Sequence, residues 1–246
     1  MNISFEDRTV IVSGATRGIG KAIATAFLSE GAKVIGTYRS NEKAATEFKD
    51  SIENGENLSL HSFDVADYTQ VENFYKSIEE VHPKVDILIN NSGIRKDSVM
   101  AMMNAEDWSA VINTNLTGCF NMSKLAIQNM MRQRYGRIIH ICSPMSRLGF
   151  SGQSNYAASK AGQEGMTKSM SKEVASRGIT VNCLSPGFID TELLNDLSEE
   201  QTKEYKKLVP MKRFGKTSEV ADAVLFLASE QAGYITGSTL DICGGV

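Results

Sequence analysis

The sequence predicts an α/β fold: a doubly wound parallel sheet with helices on both faces. Three observations carry that expectation. Short β-branched runs alternate with longer segments whose apolar residues recur at helical spacing, the alternation that right-handed βαβ units produce. Several of the short runs are almost continuously apolar, as strands covered on both faces require. Three glycines, Gly14, Gly18 and Gly20, follow directly on the first run and open the first helical segment. At 246 residues the chain suits a single domain of this class.

Strands are predicted over residues 9–13, 33–38, 58–63, 85–90, 137–142, 180–185 and 239–242, short runs carrying Val, Ile, Leu or Thr. Helices are predicted between them over 18–29, 42–54, 68–82, 108–132, 155–176 and 218–228. Pro83, Pro144, Pro186 and Pro210 all fall just outside these elements, where a fixed φ and a missing N–H do no damage. Residues 187–213 are polar, rich in Glu and Lys, and interrupt the alternation. Their place after the carboxyl end of a strand makes them an expected lid over a ligand crevice.

Composition excludes several function classes. The 26 Lys and Arg balance 29 Asp and Glu to a net charge of −3 without basic blocks, which argues against a nucleic-acid binder. At 41% hydrophobic residues the chain can fill a core, so disorder is not expected. The start, Met-Asn-Ile-Ser-Phe-Glu-Asp-Arg, has neither a cationic head nor an apolar stretch, and no signal peptide is expected. The longest uncharged run, 108–123, contains several amide side chains and falls short of the roughly 20 apolar residues of a membrane helix. A soluble, cytoplasmic protein is the expectation. Cys119, Cys142, Cys183 and Cys243 are scattered without a C-x-x-C pair and are expected as reduced core thiols. His61, His82 and His140 share no ligand spacing, so no catalytic metal is expected.

The first strand runs into Ser13-Gly14-Ala15-Thr16-Arg17-Gly18-Ile19-Gly20. Glycines at a strand-to-helix turn permit a tight bend and close approach of backbone to a pyrophosphate, with free helix N–H groups to hold its oxygens. The spacing is G-x-x-x-G-x-G, and a dinucleotide is the expected ligand. The second strand ends Tyr38-Arg39-Ser40 with no acid to accept from a ribose 2′-hydroxyl. Arg39, Arg17 and Ser40 instead offer donors to a 2′-phosphate, which favours NADP over NAD, with a solvated Arg39 and acceptance of NAD as the alternative. Asp64 and Val65, after the third strand, are expected at the adenine edge. Asn91 and Gly93, in Asn90-Asn91-Ser92-Gly93, are expected to line the cofactor.

Tyr156 and Lys160 lie four apart and project from one helix face. An ammonium beside a phenol favours the phenolate, drawing a pKa that starts at about 10 toward working pH. Tyr156 is therefore an expected proton donor to a carbonyl oxygen, and Ser143, thirteen residues earlier at a strand end, an expected hydrogen-bond partner of the same oxygen.

The glycine-rich loop, Asn90-Asn91-Ser92-Gly93, Asn115, Ser143, Tyr156 with Lys160, and Pro186-Gly187 stand in the order and spacing of the short-chain dehydrogenase/reductase family, which the chain resembles along essentially its whole length. The resemblance implies a Rossmann-type domain with a seven-stranded parallel sheet, usually as a homotetramer. It implies Tyr156 as general acid, Lys160 as the group that activates it and binds the nicotinamide ribose, and Ser143 as the group that positions the substrate carbonyl. Asn115 matches the residue that holds a relay water, and Pro186, Gly187 and Ile189 match positions near the nicotinamide. Ser13 stands where the family commonly has Thr, and Ser92 where it has Ala.

Within the family the chain most resembles the branch that reduces 3-oxoacyl chains on acyl-carrier protein in fatty-acid elongation. Arg134 and Arg177 match basic residues that contact the acidic carrier there, with ordinary solvated arginines as the alternative. Reduction of an acyl-CoA or a free ketone or aldehyde is a second expectation. A non-catalytic NADP-sensing regulator is a third, from another class.

Overall fold

In the computed structural model, which describes residues 3–53, 55–192 and 198–246, each apolar run becomes a strand, and successive side chains of the inner strands enter two separate cores. The strands are β1 (Thr9–Ser13), β2 (Lys33–Tyr38), β3 (Leu58–Ser62), β4 (Ile87–Asn90), β5 (Gly136–Ile141), β6 (Ile179–Pro186) and β7 (Thr239–Ile242). Among the described residues these seven form one sheet in the order β3-β2-β1-β4-β5-β6-β7, every pair parallel. The helices are α1 (Gly18–Ser29), α2 (Glu42–Asp50), α3 (Tyr68–Glu79), α4 (Ala105–Ile112), α5 (Gly118–Gln133), α6 (Met145–Leu148), α7 (Ser154–Val174), α8 (Glu199–Leu208) and α9 (Thr217–Ala228).

The period of two sorts the strands' side chains. Val10, Val12, Ile87 and Ile89 meet Ile23 and Phe27 of α1, Phe48 of α2 and Val220 and Val224 of α9. Ile11, Leu88 and Ile138 point the other way, to Val71 and Phe74 of α3, Met122 and Met130 of α5, and Met170 and Val174 of α7. Each such side chain, fully buried, contributes about 1.5–3 kcal/mol relative to exposure. Because β3 and β2 extend from one side of β1 and β4 onward from the other, the crossovers diverge between β1 and β4. That divergence opens a crevice at the carboxyl ends of these two strands.

The predicted elements are all present, with shifted ends. The helix predicted over 108–132 is two helices, α4 and α5, joined by a π turn at Asn113–Thr117, and it begins at Ala105 because the Asn104 side chain caps the Asp107 N–H at 2.7 Å. The helix predicted over 42–54 ends at Asp50, and residue 54 lies outside the described residues. Two helices were not expected. Helix α6 has four residues, too few to show a period. Helix α8 lies within the insertion predicted at 187–213 and buries no side chain, so no apolar stripe marks it; a capping box between Ser198 and Gln201 starts it. Residues 193–197 of that insertion lie outside the described residues. Among the described residues no helix is long and apolar enough to cross a membrane.

Candidate active site

The loop after β1 is clasped to the loop after β4. The Ser13 hydroxyl accepts from the backbone N–H groups of Asn91 (3.0 Å) and Ser92 (2.9 Å). In return the Asn91 amide donates to the carbonyls of Ser13 (3.0 Å) and Gly14 (3.1 Å). A Cβ on Gly20 would stand 2.0 Å from the Gly14 carbonyl and 2.5 Å from the Asn91 amide nitrogen, so only glycine lets this clasp close. Gly14 and Gly18 take φ of +66° and +51°, left-handed conformations that any side chain would strain. Arg17 is extended, no side chain caps the N–H groups of α1, and its first turn has no acid. The positive end of the helix therefore faces the crevice with open donors. Thr16 is buried and Ile19 packs against the first core. These features suit the pyrophosphate of a dinucleotide.

Beyond β2, the guanidinium of Arg39 reaches the Asp64 carboxylate at 3.1 Å, and Arg39 stays two-thirds exposed. Sequence reasoning assigned these two residues to different parts of a cofactor, and the structure joins them. Ser40, next in the chain, is exposed. Asp64 also accepts from the Ala66 N–H at 2.9 Å. The Val65 carbonyl accepts from Asn121 at 2.9 Å, and Gly118 leaves room for Val65, since a Cβ there would come within 2.7 Å of it.

Helix α7 carries Tyr156 and Lys160 one turn apart, with the ammonium 5.6 Å from the center of the Tyr156 ring. Lys160 is buried. It donates to the Ile141 carbonyl at the end of β5 (2.7 Å) and to Gln163 Oε1 (3.3 Å). Ser143, two residues past β5, is buried too; its Oγ accepts from the Met145 N–H at 3.3 Å and its carbonyl from Ser146 Oγ at 2.7 Å. Ser146 Oγ also lies 2.5 Å from Glu164 Oε1 of α7, so its one proton is shared between the Ser143 carbonyl and that carboxylate, which ties the Ser143 turn to the helix that holds Tyr156.

Asn115 occupies the π turn, an irregularity frequent at functional sites. Its Oδ1 accepts from the Ile94 N–H (2.8 Å), and its amide donates to the Ile94 carbonyl (3.0 Å) and to Ser159 Oγ (3.1 Å). Gly93 sits where a Cβ would lie 3.4 Å from Asn115 Oδ1 and 3.8 Å from the Lys160 ammonium. Gly93, Asn115 and Lys160 therefore converge on one point. On the far side, Pro186 closes β6 and the Gly187 N–H donates to the Ile242 carbonyl at 3.0 Å, in a place where a Cβ would come within 2.8 Å of Cys243. Ile189 is buried and bridges to Gly215.

Arg134 and Arg177 are brought together, but not to this crevice. They precede β5 and β6, at the amino ends of strands whose carboxyl ends carry the site. Arg134 takes a left-handed φ of +55° and donates to the Ser176 carbonyl at 3.3 Å.

Sequence reasoning missed four buried polar residues of α7, namely Asn155, Ser159, Gln163 and Thr167. Their spacing of four was the available signal, because a polar stripe at helical period on a buried face must be hydrogen-bonded internally. Asn155 donates to the Lys96 carbonyl at 3.0 Å, Ser159 to the Tyr156 carbonyl at 2.7 Å, and Gln163 to the Asn115 carbonyl at 2.6 Å. Behind them His140 is fully buried, and burial, reinforced by the charge of Lys160, pushes its pKa down to about 3. Burial pushes the Cys119 and Cys142 thiols up, which keeps them protonated and unreactive.

The chain matches, over residues 14–246, a family model described as enoyl-(acyl carrier protein) reductase. It is 45% identical over 244 residues, 99% of both chains, to the 3-oxoacyl-[acyl-carrier-protein] reductase FabG of Vibrio harveyi. It is also 45% identical over 245 residues to the FabG of Escherichia coli strain K12, again covering 99% of both chains. The Buchnera aphidicola FabG is 43% identical over 250 residues, 100% of this chain and 99% of the relative. With a seven-stranded parallel sheet and a glycine loop clasped to the segment after its fourth strand, the chain belongs to the short-chain dehydrogenase/reductase family.

Proposed function

We propose that the protein reduces the 3-oxo group of acyl chains carried on acyl-carrier protein to the 3-hydroxy group, as a step of fatty-acid elongation, with NADPH as reductant. Membership of the family implies a nicotinamide cofactor. The observation that carries the reading is the convergence of Gly93, Asn115 and Lys160 beside Tyr156, in a chain that matches 3-oxoacyl reductases end to end. The relatives, which agree in name and coverage, weigh more than the enoyl reductase activity after which the broader family model is named.

In this reading the cofactor lies with its pyrophosphate on Gly14, Thr16, Arg17, Gly18, Ile19 and Gly20. Its adenine lies by Asp64 and Val65, and its nicotinamide half by Asn91, Gly93, Pro186, Gly187 and Ile189. Bound there, it supplies a hydride to the substrate's carbonyl carbon. Ser143 Oγ donates a hydrogen bond to the carbonyl oxygen and orients it. Tyr156 delivers a proton to that oxygen, and Lys160 steadies the charge left on the phenol while holding the ribose hydroxyls. Asn115 keeps the turn that positions Lys160 and offers its carbonyl to the path by which the proton is replaced. Arg39, with Arg17 and Ser40, takes the 2′-phosphate that separates NADPH from NADH; a guanidinium has five N–H donors, so Asp64 does not exhaust it.

The reading extends to a single domain over 1–246 whose 187–213 segment covers the mouth of the site. Stacking of Phe188 on Tyr205 of α8, with centers 5.3 Å apart and planes at 20°, supports that placement. A cytoplasmic location and a homotetramer are part of the proposal; Trp108, Phe120 and Met131, apolar side chains exposed on α4 and α5, support self-association. The deciding experiment compares NADPH-dependent reduction of acetoacetyl-carrier protein, acetoacetyl-CoA and small ketones. Preference for the carrier thioester is expected; preference for a free ketone would remove the fatty-acid reading, and no turnover with any carbonyl would favour a sensor.

A further inference from the structure

We infer that Gln163 is a positioning residue for the reaction: its side-chain amide holds the Lys160 ammonium in the site and ties it to the Asn115 turn. The inference rests on the roles given above to Tyr156 and Lys160. Gln163 lies on α7, three residues beyond Lys160, and is buried at 1% exposure. Its Oε1 accepts from Lys160 Nζ at 3.3 Å and from the Cys142 thiol at 3.5 Å, and its Nε2 donates to the Asn115 main-chain carbonyl at 2.6 Å.

The chemistry of the neighbors leaves no freedom in how this amide points. An ammonium has only donors and a carbonyl only acceptors, so the oxygen must face Lys160 and the nitrogen must face Asn115. A flipped amide would put N–H against an ammonium and oxygen against oxygen. The same bookkeeping fixes the lysine. An ammonium has three N–H donors; Ile141 and Gln163 take two of them, which leaves one for the crevice where Gly93 admits it. Without the Gln163 oxygen a second donor is unpaired, and the flexible lysine stem has other rotamers through which to satisfy it.

The link also runs to the far side of the site. Asn115 Oδ1 and amide hold Ile94, the residue after Gly93, and Ser159 joins Asn115 to the Tyr156 carbonyl. Gln163 thereby closes a ring of hydrogen bonds through Lys160, the Asn115 turn and the helix segment bearing Tyr156. Buried at the back of Lys160 and bonded to its ammonium, it acts through Lys160. An amide with both ends fixed carries no exchangeable charge, so its part is geometry and not proton transfer.

The test uses Gln163→Met, which keeps the length of the side chain and removes both polar ends, and Gln163→Glu, which keeps an acceptor for Lys160 but sets a second oxygen against the Asn115 carbonyl. Both are assayed with NADPH and acetoacetyl-carrier protein, with kcat referred to sites that bind NADPH, counted by fluorescence titration, so that unfolded chains do not count. Expected is a fall in kcat of about tenfold for Q163M with KM for the thioester within about twofold of wild type, and a fall of about threefold or more in Q163E, which keeps only one of the two ties. Wild-type kcat in Q163M or in Q163E overturns the inference. Where Q163M gives no NADPH-binding protein, Gln163→Ala replaces it under the same criteria. Tyr156→Phe in the same assay separates the two failures. A fully active Y156F overturns the reaction reading, whereas an inactive Y156F beside a fully active Q163M overturns only the role of Gln163.

Discussion

The guanidinium of Arg39 lies 3.1 Å from the carboxylate of Asp64, joining the residue after β2 to the segment after β3 at the edge of the proposed cofactor crevice. The pair is solvent-facing, with Arg39 at 66% exposure, and an ion pair of that kind is worth about 0–1 kcal/mol. An incoming phosphate, which an arginine binds with two parallel hydrogen bonds, can therefore draw Arg39 from Asp64 at small cost. Arg39→Asp sets two carboxylates side by side where that phosphate is proposed to sit. We expect KM for NADPH to rise by about tenfold or more and KM for NADH to change by less than about threefold. Equal effects on both, measured in parallel steady-state assays, would remove the assignment of NADP.

Tyr156→Phe takes away the proposed proton donor and leaves the ring that lies beside Lys160. We expect kcat for reduction of acetoacetyl-carrier protein to fall by about 10²–10⁴, the range general acids supply, with NADPH affinity by fluorescence titration unchanged within about twofold. Turnover at the wild-type rate would show that the proton comes from elsewhere.

The parts of the site that depend on a residue type at a fixed spacing are legible in the sequence. Tyr156 and Lys160 share a helix face because they are four apart, and the glycines after β1 announce a left-handed turn whose φ values the structure shows. What joins distant segments is not legible. Nothing local pairs Arg39 with Asp64, and the π turn at Asn115 interrupts what reads as continuous helical period. Helix α8 escapes because it buries nothing, so its residues follow no core-facing pattern. The position of Arg134 and Arg177 could have been deduced: in a parallel sheet, residues that precede a strand lie at the end opposite to those that follow it.

That placement sharpens what the two arginines can do. Strand β5 has six residues, so its length of about 20 Å separates Arg134 from the chemistry. Neither arginine reaches the reacting carbonyl of its own chain, so their proposed part in carrier docking can be tested apart from the chemistry. Arg134→Glu with Arg177→Glu is expected to raise KM for acetoacetyl-carrier protein by about tenfold, to leave acetoacetyl-CoA reduction within about twofold of wild type, and to flatten the dependence of carrier turnover on salt. Equal losses with both substrates would point to a folding defect and against carrier docking.

His140 makes stability depend on acid. Its Nδ1 faces the Asn90 amide at 3.0 Å, so Nδ1 is an acceptor and the ring proton sits on Nε2, which has no hydrogen-bond partner among the described residues. Burial, with a smaller push from Lys160, brings the folded-state pKa down to about 3, against about 6.5 in an unfolded chain. Between those values the unfolded state binds a proton that the folded state refuses, so stability rises with pH across the window and is lost as pH falls from about 6.5 toward 3, by up to about 1.4 kcal/mol per unit. Above about pH 6.5 the ring is neutral in both states and the effect vanishes. His140→Phe removes the titrating group from the buried position. Urea unfolding at about pH 7 and about pH 5 is expected to show the wild type losing about 2 kcal/mol more than the variant between the two conditions. Equal losses would mean that His140 takes up its proton in the folded protein without penalty.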